Sequence, residues 1–371
     1  MWTAPDHPPA MNQRHGQLAA LAAALLFGCS APLISLFTAD GSALSIAGLL
    51  YAGASLGLLL LRLAQPRKAQ ETPLQRADWP GLALLTLLGG VVAPVALVFG
   101  LAHLPAASSS LLLNLEAVFT LLIAVVVGGE HLGRRALLAA LLTIAGAVVL
   151  SQGSLSGANW QGAGLIALAT LAWGIDNNIS QRLSLRDPMQ IASIKAIGAG
   201  LPMLAGAVLL GHPFPAAPVI AALLVIGALG YGLSIWLDLL ALRALGAARE
   251  AVIFASAPFV GALFAVLVLG EAPTAALAAA AALMVLGVAL LLGEQHSHWH
   301  HHEPLRHAHR HRHDPRHDPR HGDPHHDHGH SEEESAEIRR DRPYWHAHEH
   351  DHDATAHAHP HGSDAHHRHH H

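Results

Sequence analysis

Each half of this chain carries one of two matching stretches, LAHLPAASSSLLLNLEAVFTLLIAVVVGGE (101–130) and LRALGAAREAVIFASAPFVGALFAVLVLGE (242–271), which align without gaps at a separation of 141 residues. Both indicate the end of one helix, a short Ala-rich turn and a second helix that closes in Gly-Glu. A further match, 146 residues apart, aligns Phe-Gly at 27–28 with Trp-Gly at 173–174. The chain is therefore predicted to contain an internal repeat.

The composition around these stretches excludes most classes of soluble protein. Of the 371 residues, 52% are hydrophobic and 13% are charged, whereas soluble domains carry about 25% charged residues. The lone Cys29 excludes a disulfide framework and a cysteine-based zinc site. No basic segment suits nucleic acid, and no phosphate loop, nucleophile elbow or HExxH motif occurs. We therefore expect neither a nucleic-acid partner nor an enzyme or ATP-driven pump.

Hydropathy predicts ten membrane spans, since about 20 consecutive apolar residues cross a bilayer as a helix. The segments are apolar on all sides and rich in Gly, Ala and Ser, the residues that allow close helix contact in lipid. The first lacks a cleavage site, so we interpret it as a retained helix. The predicted spans are 17–37, 45–63, 80–101, 107–128, 135–151, 160–180, 189–210, 217–242, 249–270 and 273–292.

Charge in the connections predicts the orientation of the spans. The odd-numbered connections (38–44, 102–106, 152–159, 211–216 and 271–272) contain no Lys or Arg. The even-numbered connections and their flanks carry Arg62, Arg67, Lys68, Arg76, Arg134, Arg135, Arg182, Arg186, Arg243 and Arg249. Because short cytoplasmic loops carry the positive excess, we expect both termini in the cytoplasm and the protein in the inner (plasma) membrane.

Five helices per repeat is an odd number, so the second copy must enter the membrane from the opposite side. We therefore predict an all-α membrane protein of ten transmembrane helices in two inverted five-helix repeats, 17–151 and 152–293. A cytosolic segment, 1–16, precedes them, and a tail, 294–371, follows. Glu130 then lies at the cytoplasmic face and Glu271 at the outer face, and we interpret both as boundary residues. Inverted repeats are typical of secondary transporters, whose substrates bind near the midplane.

Over residues 15–293 the sequence resembles the EamA-type transporters of the drug/metabolite transporter superfamily. SLLLNLEAVFTLLIAVVVGGE and APFVGALFAVLVLGE carry the resemblance, which implies the ten-span fold and transport activity but not the substrate. Family members usually have Pro two residues after the Asn-Leu pair; here that position is Ala117, while Pro258 keeps it in the second half. AWGIDNN (172–178) is similar to one subgroup, in which histidine-rich tails also occur.

Several polar side chains fall inside predicted spans, where an ionisable group costs about 2.5–3.5 kcal/mol on insertion scales and usually faces a cavity or a partner. We take them as the candidate substrate or ion cavity: Glu116, Asp176, Asn177, Asn178, Lys195 and Asp238. Three acids against one base predict a negative cavity that suits a cation or a proton. The aromatic residues Tyr51, Trp173, Tyr231 and Trp236 line this cavity or form interfacial belts.

Less specific interpretations of these residues stay open. Asp176 and Lys195 lie in consecutive spans and are able to form a structural ion pair. Glu116 lies deep enough in its span to handle substrate or protons. Asp238 is equally well explained as an acid that reaches the cytoplasmic interface.

The tail differs from the body in composition. Of the 32 histidines, 27 lie between His296 and His371, among Pro, Gly and carboxylates and with few apolar residues. Such a segment is expected to be disordered, and imidazole suits Ni, Co, Zn or Cu. No cofactor is required for transport. The predicted metal ligands are His296, His298, His300, His307, His309, His311, His313, His346, His348, His350, His352, His357, His359 and His361.

Other interpretations of the tail are a purification tag, compositional drift and a pH-responsive segment. For the whole protein we predict an exporter of a small solute whose cytosolic tail binds divalent metal. The alternative is a divalent metal (Ni/Co/Zn) exporter to which the tail delivers the ion, and a membrane-anchored metal chaperone is a third possibility. The expected partners are the bilayer and the solute or cation, with a homodimer left open.

Overall fold

The computed structural model is built from long apolar helices followed by short strands. It describes residues 13–64, 74–128, 134–152, 157–183, 186–245, 253–292, 296–302, 305–313, 344–352 and 355–361. In the first half the α-helices are α1 (Gln13–Ser35), α2 (Ala43–Ala64), α3 (Trp79–Leu85), α4 (Ala93–Leu101), α5 (Ala106–Leu112), α6 (Leu115–Gly128) and α7 (Arg134–Gln152), with a 3₁₀ turn at Arg76–Asp78. Leu and Ala, which favour helix, dominate these segments.

The described residues of the second half form six α-helices. Its helices are α8 (Gly157–Leu183), α9 (Pro188–Leu209), α10 (Ala217–Gly227), α11 (Ser234–Leu245), α12 (Ala257–Leu267) and α13 (Ala275–Leu292). Asp187 caps α9 by accepting hydrogen bonds from the backbone N–H groups of Met189 and Gln190, which satisfies donors that a helix start leaves free.

The structure confirms a multi-pass helical body. Seven helical segments are long and apolar enough to cross a membrane, namely Gly16–Ser35, Ala43–Ala64, Arg76–Leu101, Ala106–Val127, Arg134–Ser151, Met189–Leu209 and Ala217–Asp238. Two further predicted spans, 249–270 and 273–292, coincide with the shorter apolar helices Ala257–Leu267 and Ala275–Leu290. The remaining predicted span, 160–180, lies within α8, and α8 carries the polar residues 176–178.

The two halves interrupt their helices at matching places. A π-helical turn at Thr86–Val92 joins α3 to α4, and another at Ala228–Leu233 joins α10 to α11. Non-helical turns at 113–114 and 255–256 precede α6 and α12. These interruptions recur at about the separation of the matching stretches, 141 residues, so the backbone follows the internal repeat seen in the sequence. π-Turns are rare and are found frequently at functional sites.

Small residues allow the helices to pack closely. A Cβ on Gly28 of α1 would lie 2.4 Å from the carbonyl oxygen of Ala257, and one on Gly261 would lie 2.5 Å from that of Gly28. α1 therefore crosses α12 nearly backbone to backbone. Large apolar side chains point outward elsewhere, as at Val126 (81% exposed) and Leu209 (85% exposed), which is expected of surfaces that face lipid rather than water.

Four short stretches of the tail are described as strands. β1 (His296–His302) pairs with β4 (Thr355–His361), and β2 (Leu305–His313) pairs with β3 (Tyr344–His352), both antiparallel. The alternating His-x-His pattern has the two-residue period of a strand, which is the physical reason that it fits a ladder. The expectation of disorder for the tail as a whole stays a prediction, because much of 294–371 lies outside the described residues.

The register of the two ladders places histidines opposite histidines. The Cα partners are His296↔His361, His298↔His359, His300↔His357, His307↔His350, His309↔His348 and His311↔His346. Twelve of the fourteen predicted metal ligands therefore lie opposite another histidine. Of the other two, His313 lies opposite Tyr344 and His352 lies opposite Leu305.

Candidate functional site

The polar run on α8 divides between two neighbouring helices. Successive residues of a helix point about 100° apart, so Asp176 and Ser180 share one face while Asn177 faces elsewhere. The Ser180 hydroxyl donates to Asp176 Oδ1 over 3.2 Å. Asp176 is buried, and Asn177 is exposed. The run therefore supplies two different clusters rather than one continuous lining.

The first cluster is a buried ion pair between α8 and α9. Lys195 Nζ donates to Asp176 Oδ2, and the two side chains are only 16% and 4% exposed. The structure thus confirms the predicted pairing across this helix hairpin. Asp176 packs against the π-turn of the first half, because a Cβ on Gly89 would lie 2.1 Å from Asp176 Oδ2. Gly89 is therefore required for the carboxylate to reach its position.

The second cluster joins α8 to α6. Asn177 Nδ2 donates to Glu116 Oε1 over 2.8 Å and lies 3.4 Å from Thr120 Oγ1. Asn178 Nδ2 donates to two backbone oxygens, of Thr120 (3.0 Å) and of Gly174 (2.9 Å). Asn177 thereby holds the half-buried Glu116 carboxylate, while Asn178 ties α8 to the backbone of α6.

The two clusters are joined through α8. Asp176 faces Lys195 on α9, and Asn177 faces Glu116 on α6. Of the predicted cavity residues, these four and Asn178 therefore lie together on α6, α8 and α9. Asp238 lies on α11, in the second half of the chain, and is half-buried.

An aromatic cluster lies beside these charges and was only partly foreseen from the sequence. The ring of Phe27 is 6.2 Å from that of Trp173, 6.0 Å from that of Tyr231 and 5.5 Å from that of Phe254. Tyr51 extends the cluster, with its ring 5.7 Å from that of Tyr231. The sequence analysis did not include Phe27 and Phe254 among the candidate site residues. For Phe27 a signal existed, namely its alignment with Trp173 across the repeat.

The π-turn of the first half anchors this aromatic cluster. The Gly89 carbonyl oxygen accepts hydrogen bonds from the Tyr51 hydroxyl (2.9 Å) and from Trp173 Nε1 (3.1 Å). π-Helical geometry departs from the regular i to i−4 pattern of an α-helix, and here a backbone oxygen serves two side chains from α2 and α8. Gly89 therefore contacts both the ion pair and the aromatic rings.

Glu271 makes a contact that its interpretation as a boundary residue did not include. Its carboxylate oxygens accept hydrogen bonds from the backbone N–H groups of Ala106 (2.6 Å) and Ala107 (2.8 Å) at the start of α5. The last residue of the second matching stretch thereby ties to the first stretch. The equivalent Glu130 lies outside the described residues.

The histidine side chains of the tail lie outside the part of the chain whose side chains the structure describes. Within the part of the chain whose side chains the structure describes, no group of three or more His, Cys, Asp or Glu is placed to hold a metal ion. The six cross-strand histidine pairs are facts of backbone register alone. Metal binding by the tail therefore stays a prediction.

Comparisons with known proteins agree with this architecture. The profile of the EamA-like transporter family matches residues 14–152 and 160–293. An uncharacterised transporter of Methanothermobacter thermautotrophicus is 27% identical over 287 residues, which cover 72% of this chain and 83% of that protein. An uncharacterised protein of Pseudomonas aeruginosa is 34% identical over 251 residues, 66% of this chain and 81% of its own.

Among solved structures, one crystal structure superposes with a TM-score of 0.57 at 20% sequence identity. The match covers 75% of this chain and 97% of the other chain. At this identity the likeness establishes a shared fold.

Proposed function

Because this chain belongs to the EamA-like transporter family, we propose that it is a secondary transporter that exports a small solute across the inner membrane by alternating access. The observation that carries the proposal is the cluster of ionisable and amide side chains deep within the apolar helices. Glu116, Asn177 and Asp238 come from both halves of the chain, and ionisable residues within membrane helices usually mark a substrate or ion pathway.

The proposed topology is ten transmembrane helices in two inverted five-helix repeats. It is supported by the matching interruptions at Thr86–Val92 and Ala228–Leu233 and by the positive charges on alternate connections. An odd number of spans per repeat inverts the second copy, and such a pair allows the site between the halves to open to either side. Both termini then lie in the cytoplasm.

Alternating access predicts that a residue beside the site reacts from both sides of the membrane. With Cys29 replaced by serine, Thr120→Cys introduces one thiol a helical turn from Glu116 on the same face of α6. We expect a membrane-impermeant maleimide to label this thiol in both right-side-out and inside-out vesicles, because each orientation exposes the site in one of the two states.

Two control variants calibrate this measurement. Ala39→Cys, in the connection after α1, should react only in right-side-out vesicles. Ala77→Cys, in the 3₁₀ turn before α3, should react only in inside-out vesicles. Both residues are exposed. Labelling of Thr120→Cys from one side alone, with both controls behaving as expected, would contradict alternating access. Controls that react on the same side would instead contradict the proposed topology.

The tail is proposed to bind divalent metal on the cytosolic side. Support comes from the density of imidazoles and from the six histidine pairs that the two ladders place in register. Imidazole nitrogen is a good ligand for Ni²⁺, Co²⁺, Zn²⁺ and Cu²⁺. We expect the full chain to bind several equivalents of Ni²⁺ in equilibrium dialysis. A full-length variant with the fourteen predicted metal-ligand histidines changed to asparagine should bind far fewer. Equal binding by both would overturn this assignment.

A metal ion as the exported substrate is the alternative, and the cytosolic location proposed for the tail favours it, since a donor should concentrate ions on the side that they leave. Inside-out vesicles under an imposed proton gradient distinguish the two functions. Uptake of Ni²⁺, Co²⁺ or Zn²⁺ by the full chain, weakened in the asparagine variant, would make the protein a metal exporter. Tail-dependent binding without uptake would favour a solute exporter with a metal-sensing tail.

A further inference from the structure

We propose that the Glu271 carboxylate and the α5 backbone N–H groups that it binds form a latch, which keeps the transport site closed toward the outer face. Release of this latch opens the site outward. The inference rests on the proposed function and adds the residue that sets the balance between its two states. Three features carry it: a carboxylate that bridges the two halves, buried hydroxyls without partners in the contact that it holds, and a helix break between this contact and Glu116.

The latch joins the two halves of the chain at the outer face of the proposed topology. Glu271 follows α12 in the second half, yet its oxygens accept hydrogen bonds from Ala106 (2.6 Å) and Ala107 (2.8 Å) in the first half. The first N–H groups of a helix have no partner within it, and a negative charge is favourable there. Because hydrogen bonds to a carboxylate are stronger than those between neutral groups, the latch holds α5 against the end of α12.

The turn after α12 places this carboxylate opposite α5. Gly270 has a φ of 74°, in the left-handed region that favours glycine. The backbone N–H of Glu271 donates back to the carbonyl oxygen of Ala265 over 3.2 Å. The backbone of Glu271 is therefore fixed to its own helix, while its side chain reaches across to the other half.

The contact that the latch holds contains polar atoms without partners. Ser109 and Ser110 on α5 are fully buried, and neither hydroxyl oxygen has a hydrogen-bond partner among the described residues. Ser110 lies against α12, since a Cβ on Gly261 would be 2.8 Å from its hydroxyl oxygen. Burying a hydroxyl without a partner is unfavourable, and separation of α5 from α12 would let water reach it. The closed contact therefore carries a cost that opening relieves.

A helix break separates the latched segment from the site. α5 ends at Leu112 and α6 begins at Leu115, so residues 113–114 lie between the latch and Glu116. Beyond the break, α6 is tied to α8, because Asn177 Nδ2 donates to Glu116 Oε1 over 2.8 Å. Positions at the ends of helices are where hinges absorb a change of backbone direction. α5 is thus able to leave α12 while α6 stays with α8.

The described state is closed at the latch and accessible beside the site. Ala106 and Ala107 are buried at the outer end, whereas Asn177, in the part of α8 that leads to the cytoplasmic face, is exposed. In the proposed topology an engaged latch therefore corresponds to the inward-facing state, and its release to the outward-facing state.

The test measures how fast the impermeant maleimide labels Thr120→Cys in right-side-out and in inside-out vesicles, in the full chain with Cys29 replaced by serine. The ratio of the outside rate to the inside rate follows the equilibrium between the two states. Glu271→Gln keeps the size of the side chain but removes its charge and one of its two acceptor oxygens. We expect it to raise this ratio roughly tenfold or more.

Asp187→Asn is the matched control for this change. Asp187 accepts hydrogen bonds from the N–H groups of Met189 and Gln190, at the start of the helix that it caps itself, so it does not bridge the halves. The same exchange of acid for amide should leave the ratio unchanged there. A ratio that stays constant in Glu271→Gln, or that rises equally in Asp187→Asn, would overturn the proposal.

Ser110→Ala tests the latch in the opposite direction. It removes a hydroxyl without a partner and adds no atoms, so the closed contact should become more favourable and the ratio should fall roughly fivefold or more. A variant that only loosened the fold would instead be labelled faster from both sides. A rise of the ratio in Ser110→Ala would contradict the proposed cost of the closed contact and overturn the proposal.

The protein with Glu271 intact separates failure of the latch from failure of the proposed function. Labelling of Thr120→Cys from both sides, with the same ratio in Glu271→Gln, would leave the transporter standing and remove the latch. Labelling from one side alone, in Glu271→Gln as well, would remove alternating access and the latch together.

Discussion

Replacing Lys195 with methionine should lower the free energy of unfolding by about 3–5 kcal/mol, because it leaves the Asp176 carboxylate buried without its cation. Asp176 is 4% exposed, and its remaining side-chain donor is the Ser180 hydroxyl at 3.2 Å. A neutral hydroxyl does not replace the lost charge. The measurement is unfolding in mixed micelles with increasing SDS, followed by circular dichroism.

Two further variants show that the loss comes from the uncompensated charge. The double variant Asp176→Asn/Lys195→Met should recover much of the stability, since neither charge then remains buried. Arg186→Met removes the cation of the Asp78 pair, whose side chains are more exposed, at 21% and 14%. It should cost less than Lys195→Met, because water reaches Asp78 more easily than Asp176. A Lys195→Met protein within about 1 kcal/mol of the parent would contradict the assignment of a buried pair.

The double variant also separates the two interpretations of this pair. If Asp176 and Lys195 only hold α8 against α9, the double variant should regain transport together with stability. If they take part in the transport cycle, stability should return while transport stays lost. The structure favours a structural contribution, because the pair is buried against Gly89 rather than exposed beside Asn177.

Gly227→Ala is expected to destabilise the protein by about 1–3 kcal/mol, because a methyl group has no room where α10 crosses α2. A Cβ on Gly227 would lie 2.0 Å from the backbone oxygen of Leu50, and the same crossing places a Cβ on Gly53 2.2 Å from the oxygen of Leu224. Since the obstructing atoms are backbone, a side-chain rotation does not relieve the contact and the helices must separate.

Gly164→Ala is the matched control for this substitution. Gly164 lies within α8, is exposed, and has no atom within 4 Å of where its Cβ would be. In a helix, alanine is favoured over glycine by roughly 1 kcal/mol, so this variant should equal or exceed the parent in the same SDS titration. Equal stability of the two variants would show that α2 and α10 do not approach as closely as described.

The sequence selects candidate residues for the site, but it does not predict how they are arranged. A charged or amide side chain in an apolar span is conspicuous, so Glu116, Lys195 and Asp238 were found from hydropathy alone. Phe254 carried no such signal, since a phenylalanine in an apolar span looks like any other lipid-facing residue. Its contact with Phe27, at 5.5 Å between ring centroids, depends on two distant helices meeting.

Sequence alone determined that this protein is a membrane protein with an internal repeat, because hydropathy and self-similarity belong to each segment by itself. The tertiary structure decided which helix each polar residue meets. Asp176 and Asn177 are neighbours in sequence, yet one binds Lys195 on α9 and the other Glu116 on α6. Helices that are apolar on all sides show no stripe to indicate their partners, so only their packing fixes those contacts.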